Sequence, residues 1–231
     1  MTARPYVLLT WAMSLDGYLD DAGAERLILS SPQDAARVDA ERATVDAILV
    51  GATTVRRDNP RLMVRSPEAR AARVARGMPP TPAKVTISGS GDLDPSVPFF
   101  TTGETEKLVY TADSALDKTR ERLSGVARVC GAGDPVALPA VLADLHARGV
   151  RRLMVEGGGS VHTQFLERGL ADEAQVCVAP FLVGDGAAPR FVGDGDFPFG
   201  PGRRMRLAEV SRYGDCAYLR YALTDRFRER E

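Results

Sequence analysis

Val155-Glu156-Gly157-Gly158-Gly159-Ser160 closes a segment from Val150 that is apolar apart from Arg151 and Arg152, and a helical pattern begins directly after it. A strand that delivers the chain into glycines and then into a helix is the repeating grammar of an α/β sheet protein. It is also the grammar of an anion site. Glycines let backbone approach a ligand without Cβ interference, and the N–H groups of the next helix meet negative charge. The spacing matches neither G-x-G-x-x-G nor G-x-x-x-x-G-K-[ST], so the Rossmann fingerprint and the Walker loop are both excluded. On these residues alone, a plain tight turn and an anion cradle remain open.

Working outward, apolar runs rich in strand formers recur at Tyr6 to Ala12, Ala47 to Val50, Lys84 to Ile87, Leu108 to Thr111, Ala127 to Cys130, Leu153 to Val155 and Ala174 to Val178. Helical patterns lie between several of them. Ser31 before Pro32 reads as an N-cap with proline at the first helical position, opening a helix to about Val45. Asp134 before Pro135 follows the same logic, and Pro139 to Arg148 ends at Gly149, a C-cap signal. Ser160 to Glu167, closed by Gly169, and Asp113 to Leu123 complete the set. The alternation predicts an α/β domain with a mostly parallel central sheet covered on both faces. Met205 to Arg212 and Cys216 to Leu223, joined across Tyr213-Gly214-Asp215, break the pattern and predict a terminal antiparallel hairpin. With no internal repeat and no linker, residues 1–231 are expected to form a single domain.

Charge and composition narrow the function classes. The formal net charge is −1, which gives no general affinity for nucleic acid or anionic membranes, so any anion site must be local. The arginine-rich runs Arg65 to Arg76 and Arg203 to Arg206 sit in mixed polar segments and read as solvated faces or loops, with Arg65 set apart below. No stretch approaches the roughly 20 apolar residues of a membrane span, and a cytoplasmic location is expected. Cys130, Cys177 and Cys216 are far apart and unpaired in pattern, so they read as small buried hydrophobes and not as a disulfide or zinc framework. The chain has 2 histidines, too few for a histidine-based metal centre; no metal is expected.

Two further stretches sharpen the picture: Met13-Ser14-Leu15-Asp16-Gly17, and Val50-Gly51-Ala52-Thr53-Thr54-Val55-Arg56-Arg57-Asp58-Asn59-Pro60-Arg61-Leu62. With the glycine triplet and with Val178-Ala179-Pro180-Phe181-Leu182-Val183-Gly184, the chain from about Tyr6 to Leu223 resembles the riboflavin-pathway pyrimidine reductases. These are NADPH-dependent enzymes with a dihydrofolate-reductase-like fold, which also form the C-terminal half of bifunctional deaminase/reductases. The resemblance implies a mixed, mostly parallel sheet, NADPH as cofactor and a homodimer. The His-x-Glu and Pro-Cys-x-x-Cys zinc ligands of the deaminase half are absent from the chain, which leaves the reductase.

Hydride transfer from a nicotinamide asks the protein mainly for alignment, and the residues offered are glycines, hydroxyls and carboxylates at strand ends. The resemblance places Gly157, Gly158, Gly159, Ser160 and Val161 on the cofactor's pyrophosphate and nicotinamide ribose. It implies that Glu156 contacts the amino-pyrimidine, whose N–H edges suit carboxylate acceptors; a structural partner such as arginine is the alternative. Thr54 and Asp58 lie four apart, so one helical turn would put them on one face. The matching family residues touch NADPH and the reaction centre, with Asp58 assisting proton delivery, although Asp-Asn-Pro is also an ordinary turn opener. Leu62, Arg65 and Arg42 match substrate contacts, with Arg65 pairing a 5′-phosphate, while Arg42 equally suits a solvated helix face. Ser14 and Asp16 fall in the loop that in this fold closes over the nicotinamide, though Asp-Gly is a common turn dipeptide. Ser88-Gly89-Ser90 is placed like the loop on the adenosine side and offers a hydroxyl to a ribose 2′-phosphate. No arginine adjoins it in sequence, so a preference for NADPH over NADH rests on the resemblance.

One departure stands out. Where related reductases carry a Ser-aromatic-or-Arg-Ile-Ser/Thr segment, this chain has Leu27-Ile28-Leu29-Ser30, keeping only Ser30. Two readings therefore stand beside a phosphoribosylamino-pyrimidine reductase: a dihydrofolate-type, pteridine-type or specialised-pathway reductase of the same fold, and a non-catalytic NADPH-binding module. The polar set Thr54, Asp58, Arg65 and Glu156 weighs against the module, because cofactor binding alone does not need a second polar wall.

Overall fold

A computed structural model describes residues 3–23 and 25–229. In chain order the elements are β1 (Tyr6–Ser14), α1 (Pro32–Arg42), β2 (Ala47–Gly51), α2 (Ala52–Asp58), α3 (Pro67–Ala75), β3 (Ala83–Ser88), α4 (Pro98–Thr101) and β4 (Lys107–Thr111). A 3-10 turn (Asp113–Ala115) leads into α5 (Leu116–Arg122), followed by β5 (Arg128–Gly131), α6 (Leu138–Ala147), β6 (Arg152–Gly157), α7 (Gly159–Glu167), β7 (Glu173–Ala179), β8 (Arg206–Tyr213) and β9 (Cys216–Ala222).

The chain clusters into two compact units. One takes in Asp39–Met154 with the N-terminal residues; the other combines Tyr6–Val38 with Val155–Glu231. In the first, the strand order is β5-β4-β3-β2 and all three pairings are parallel. The strand β6 begins there, with the Asp46 N–H donating to the Arg152 carbonyl at 2.9 Å. Every residue of β2 is buried, as a central parallel strand covered on both faces requires. In the second unit the order is β1-β7-β9-β8, parallel between β1 and β7 and antiparallel beyond. The sheet class is therefore mixed and mostly parallel with a terminal hairpin, as the sequence predicts. Leu8, Leu9, Phe165 and Tyr218 fill the core of this unit, and Leu49, Val85, Leu108 and Leu145 that of the first.

Local chemistry explains most boundaries. The Ser31 hydroxyl accepts from the Asp34 N–H at 3.1 Å and caps α1. Gly149 and Gly169 take positive φ after α6 and α7, closing both helices. Three expectations need correction. Asp134-Pro135 opens no helix; it lies in a turn with a cis peptide, and α6 begins at Leu138 with Pro139 in its first turn. Much of the Arg65 to Arg76 run is the helix α3, capped by the Ser66 hydroxyl on the Ala69 N–H. Within it Arg73 is not solvated: it is buried and donates to the carbonyls of Ala43, Val45 and Pro79. Third, Cys177 and Cys216 are buried as expected, but Cys130 is only partly covered.

Candidate active site

In the first unit, the buried end of β2 leads straight into α2, which places Thr54 and Asp58 one turn apart on one helix face. Both are half-buried. Asn59 (φ 46°) then ends α2 in the left-handed conformation, and Leu62 (φ 46°) turns the chain again. The following backbone is pinned from α1 and from the segment before β3. Asp39 accepts the N–H groups of Arg65 at 2.6 Å and Ser66 at 2.9 Å, the Thr81 hydroxyl accepts from the Val64 N–H at 3.3 Å, and Arg42 donates to the Met63 carbonyl at 3.2 Å. Leu62 is buried, whereas the Arg65 side chain is exposed. Arg42, Leu62 and Arg65 are thus brought to one short loop, and Arg42 acts at least in part as its strut.

Ser88 ends β3 beside this region, because Gly51 pairs with Ile87 in parallel register. Its buried hydroxyl accepts from the Gly91 N–H at 3.1 Å and closes a tight turn. Arg56 of α2 reaches this turn in space and donates to the Asp92 carbonyl at 3.0 Å, and Arg122 of α5 forms an ion pair with the Asp92 carboxylate. Two arginines therefore flank a loop that has none adjacent in sequence.

In the second unit, Ser14 is fully buried, donates to Asp16 at 2.5 Å and accepts the Tyr18 N–H at 3.0 Å. Asp16 also receives the N–H groups of Val183 and Gly184, at 3.1 Å and 2.8 Å. The Ser14 hydroxyl, then those amides, hold its carboxyl below the usual carboxylate range. Ser14 and Asp16 thus latch the loop after β1 to the segment after β7. Glu156 lies half-buried near the end of β6. Gly157 follows at φ 139°, a backbone conformation that residues with side chains rarely adopt, and the Gly157-Gly158 peptide is cis. Gly159 packs so closely on the Arg190 carbonyl that a Cβ would collide with it. Phe191 next to it donates its N–H to the Gly17 carbonyl at 3.3 Å. The glycine turn, the loop after β1 and the segment around Arg190 are thereby brought together within this unit. The Val161 and His162 N–H groups donate to the Gly158 carbonyl at 2.9 Å and 3.1 Å, so the end of α7 that suits an anion is its first two residues, Gly159 and Ser160.

Beneath the turn sits His162, fully buried against Trp11, with ring centroids 5.2 Å apart. Neither imidazole nitrogen makes a hydrogen bond of good geometry. Burial pushes the imidazole down to about 4, against a smaller opposing pull from the Val155 and Phe191 carbonyls. Sequence reasoning passed over His162, Trp11, Arg190, Arg56 and Arg122. Their signal lies in contacts far apart along the chain. Of the departure segment, Leu27 donates its N–H to Asp20 at 2.8 Å, and Ile28 is 81% exposed. Among the described residues no group of His, Cys, Asp and Glu is arranged to hold a metal ion.

A family model described as the RibD C-terminal domain matches residues 5–219. The 2,5-diamino-6-ribosylamino-4(3H)-pyrimidinone 5′-phosphate reductase of Archaeoglobus fulgidus is 35% identical over 225 residues, covering 97% of this chain and 99% of the relative. The enzyme of the same name from Methanothermobacter thermautotrophicus is 33% identical, covering 95% and 99%. Among solved structures, a pyrimidine reductase-like protein from Corynebacterium diphtheriae superposes with a TM-score of 0.81 at 25% identity, covering 94% of this chain and 91% of the other.

Proposed function

The chain belongs to the RibD C-terminal domain family, a reductase of riboflavin biosynthesis, and on that premise we propose that it is the NADPH-dependent reductase of a phosphoribosylamino-pyrimidine. The family match runs through both compact units, which supports one reductase domain over residues 1–231. The observation that carries the cofactor assignment is the Gly157-Gly158-Gly159 turn at the end of β6, opening onto the first turn of α7. A side chain at Gly157 would be strained at its φ, so the turn favours a bare backbone where a pyrophosphate needs close approach.

When bound, NADPH supplies the hydride, which the ring-opened substrate receives at C1′ of its C1′=N bond to give the ribitylamino product. The nitrogen takes a proton. Asp58, one turn beyond Thr54 on α2, is the group that positions this region and relays the proton. Thr54, Ser88 and the residues from Gly157 to Val161 hold the cofactor. Glu156, Asp16, Arg42 and Leu62 border the substrate, with the buried Ser14 serving through its hydrogen bond to Asp16, and Arg65 takes its 5′-phosphate by a charge-assisted fork. A homodimer and a cytoplasmic location belong to the same proposal. The exposed Leu207 and Val210 on the edge strand β8 are suited to a second copy, and no helix among the described residues is long and apolar enough to cross a membrane.

The test is oxidation of NADPH in the presence of the aminated ribotide, the deaminated ribotide and dihydrofolate in parallel. Turnover of one of the ribotides alone is expected. Turnover of dihydrofolate alone would transfer the assignment to a pteridine, and cofactor binding without turnover of any of the three would leave only the binding module.

A further inference from the structure

The turn after β3 is built rigidly and left open on one side. Gly91 (φ 65°) donates its N–H to both the carbonyl and the hydroxyl of Ser88, and its Cα lies so close to Thr119 of α5 that a Cβ would overlap that side chain. The Thr111 hydroxyl donates to the Gly89 carbonyl at 3.3 Å, and the Ala112 N–H does so at 3.4 Å. On the other side, a Cβ placed on Gly89 would meet no atom within 4 Å, and Gly89 and Ser90 are exposed. Such a turn at the carboxyl end of a parallel strand lies where α/β sheets place ligands.

Its two arginines differ in kind. Arg122 is neutralised by the Asp92 carboxylate. Arg56 is held by the Asp92 carbonyl at 3.0 Å and by a longer contact to the Thr53 hydroxyl at 3.4 Å, both neutral acceptors. Among the described residues, no carboxylate pairs with it. A guanidinium offers five N–H donors, so most of this group's capacity is unspent while its position is already fixed. A cation oriented in advance loses less side-chain freedom on binding an anion than a free one would.

We infer that Arg56, with the open Gly89-Ser90 edge of the turn, is the subsite for the phosphomonoester that distinguishes NADPH from NADH, and so is the residue that sets cofactor choice. This rests on the reductase reading above. The arginine missing from the sequence around Ser88 is supplied by α2, in the neighbouring crossover. A dianion meeting a fixed guanidinium gains charge-assisted hydrogen bonds, and NADH, with a hydroxyl at that place, gains little from them.

The test compares kcat/KM for NADPH and NADH in the wild type, Arg56→Gln and Arg56→Lys, together with calorimetric binding of adenosine 2′,5′-bisphosphate and AMP. Arg56→Gln is expected to lower kcat/KM for NADPH by roughly 10- to 100-fold, mostly through KM, and to leave NADH within about 2-fold. Arg56→Lys should recover part of the loss, and the bisphosphate should lose affinity while AMP does not. An unchanged NADPH/NADH ratio in a folded Arg56→Gln protein overturns the inference, as does an equal loss with both cofactors, which would make Arg56 a strut for the turn. A wild type that uses both cofactors equally well also overturns it. A wild type that turns over with neither refutes the reductase reading itself.

Discussion

His162 offers a quantitative test of how the glycine turn is supported. Its imidazole is fully buried, packed on Trp11 and on the backbone below Gly157, and burial lowers it from 6.5 to about 4. In the unfolded chain the same group titrates near 6.5. The folded state therefore binds fewer protons between these values, and stability is intact above pH 6.5 and lost as pH falls, the loss being complete below about pH 4. The interval from 6.5 to about 4 is worth about 3 kcal/mol in full, and about 2 kcal/mol of it is lost by pH 5. The perturbation is His162→Leu, which keeps an apolar group of similar bulk and removes the titration. Urea unfolding of both proteins at pH 7.5 and pH 5 cancels the carboxylates they share, so the difference of differences isolates the imidazole. Wild type should lose about 2 kcal/mol more than the variant over this range. Equal losses, within about 0.5 kcal/mol, would refute the reasoning and mean that His162 is protonated or hydrated in the folded protein.

Asp58→Asn preserves shape and one acceptor oxygen while removing the charge, so thermal stability should change by no more than about 1 kcal/mol, while single-turnover hydride transfer should fall roughly 10²-fold or more; normal transfer in a stable variant would reduce Asp58 to a turn residue. Arg65→Ala should raise KM for the ribotide by about 10- to 100-fold and leave NADPH affinity unchanged, and equal reactivity of ribotide and dephosphorylated substrate in the wild type would defeat that assignment. Asp16→Asn weakens the acceptor for the Val183 and Gly184 amides, so hydrogen exchange at those two positions should accelerate. In the wild type, the depressed pKa of Asp16 keeps this latch charged above its ordinary value near 3.8, and the latch weakens as pH falls through the lower folded value.

The strands and most helices are legible in the sequence because their information is local. Val155 ends an apolar run, glycines follow, and Ser31, Gly149 and Gly169 mark helix ends by chemistry that acts within a turn. Local grammar fails where two structures share it. Asp134-Pro135 has the residues of an N-cap, yet it sits in a turn with a cis peptide three residues before α6, a choice made by the loop that follows β5. Helix α3 escapes a hydrophobic-pattern reading because its deeply buried residue is Arg73, which satisfies backbone carbonyls from three other positions instead of filling an apolar face.

The site divides along the same line. Gly157 to Ser160 and the pair Thr54 and Asp58 are contiguous or one turn apart, so spacing alone proposes them. Arg56 and the Ser88 turn are separated by tens of residues, and their meeting depends on β2 and β3 being parallel neighbours with Gly51 opposite Ile87. Once that register is fixed, the crossovers leaving both strands emerge at the same end of the sheet, and a helix following one strand must border the turn following the other. A charge on α2 thus becomes a feature of the loop after β3, although neither segment encodes it alone. The same reasoning accounts for Asp16, where a common Asp-Gly turn dipeptide becomes a latch because β1 and β7 run side by side in parallel and end together at Ser14 and Ala179, which sets Val183 and Gly184 within reach of its carboxylate.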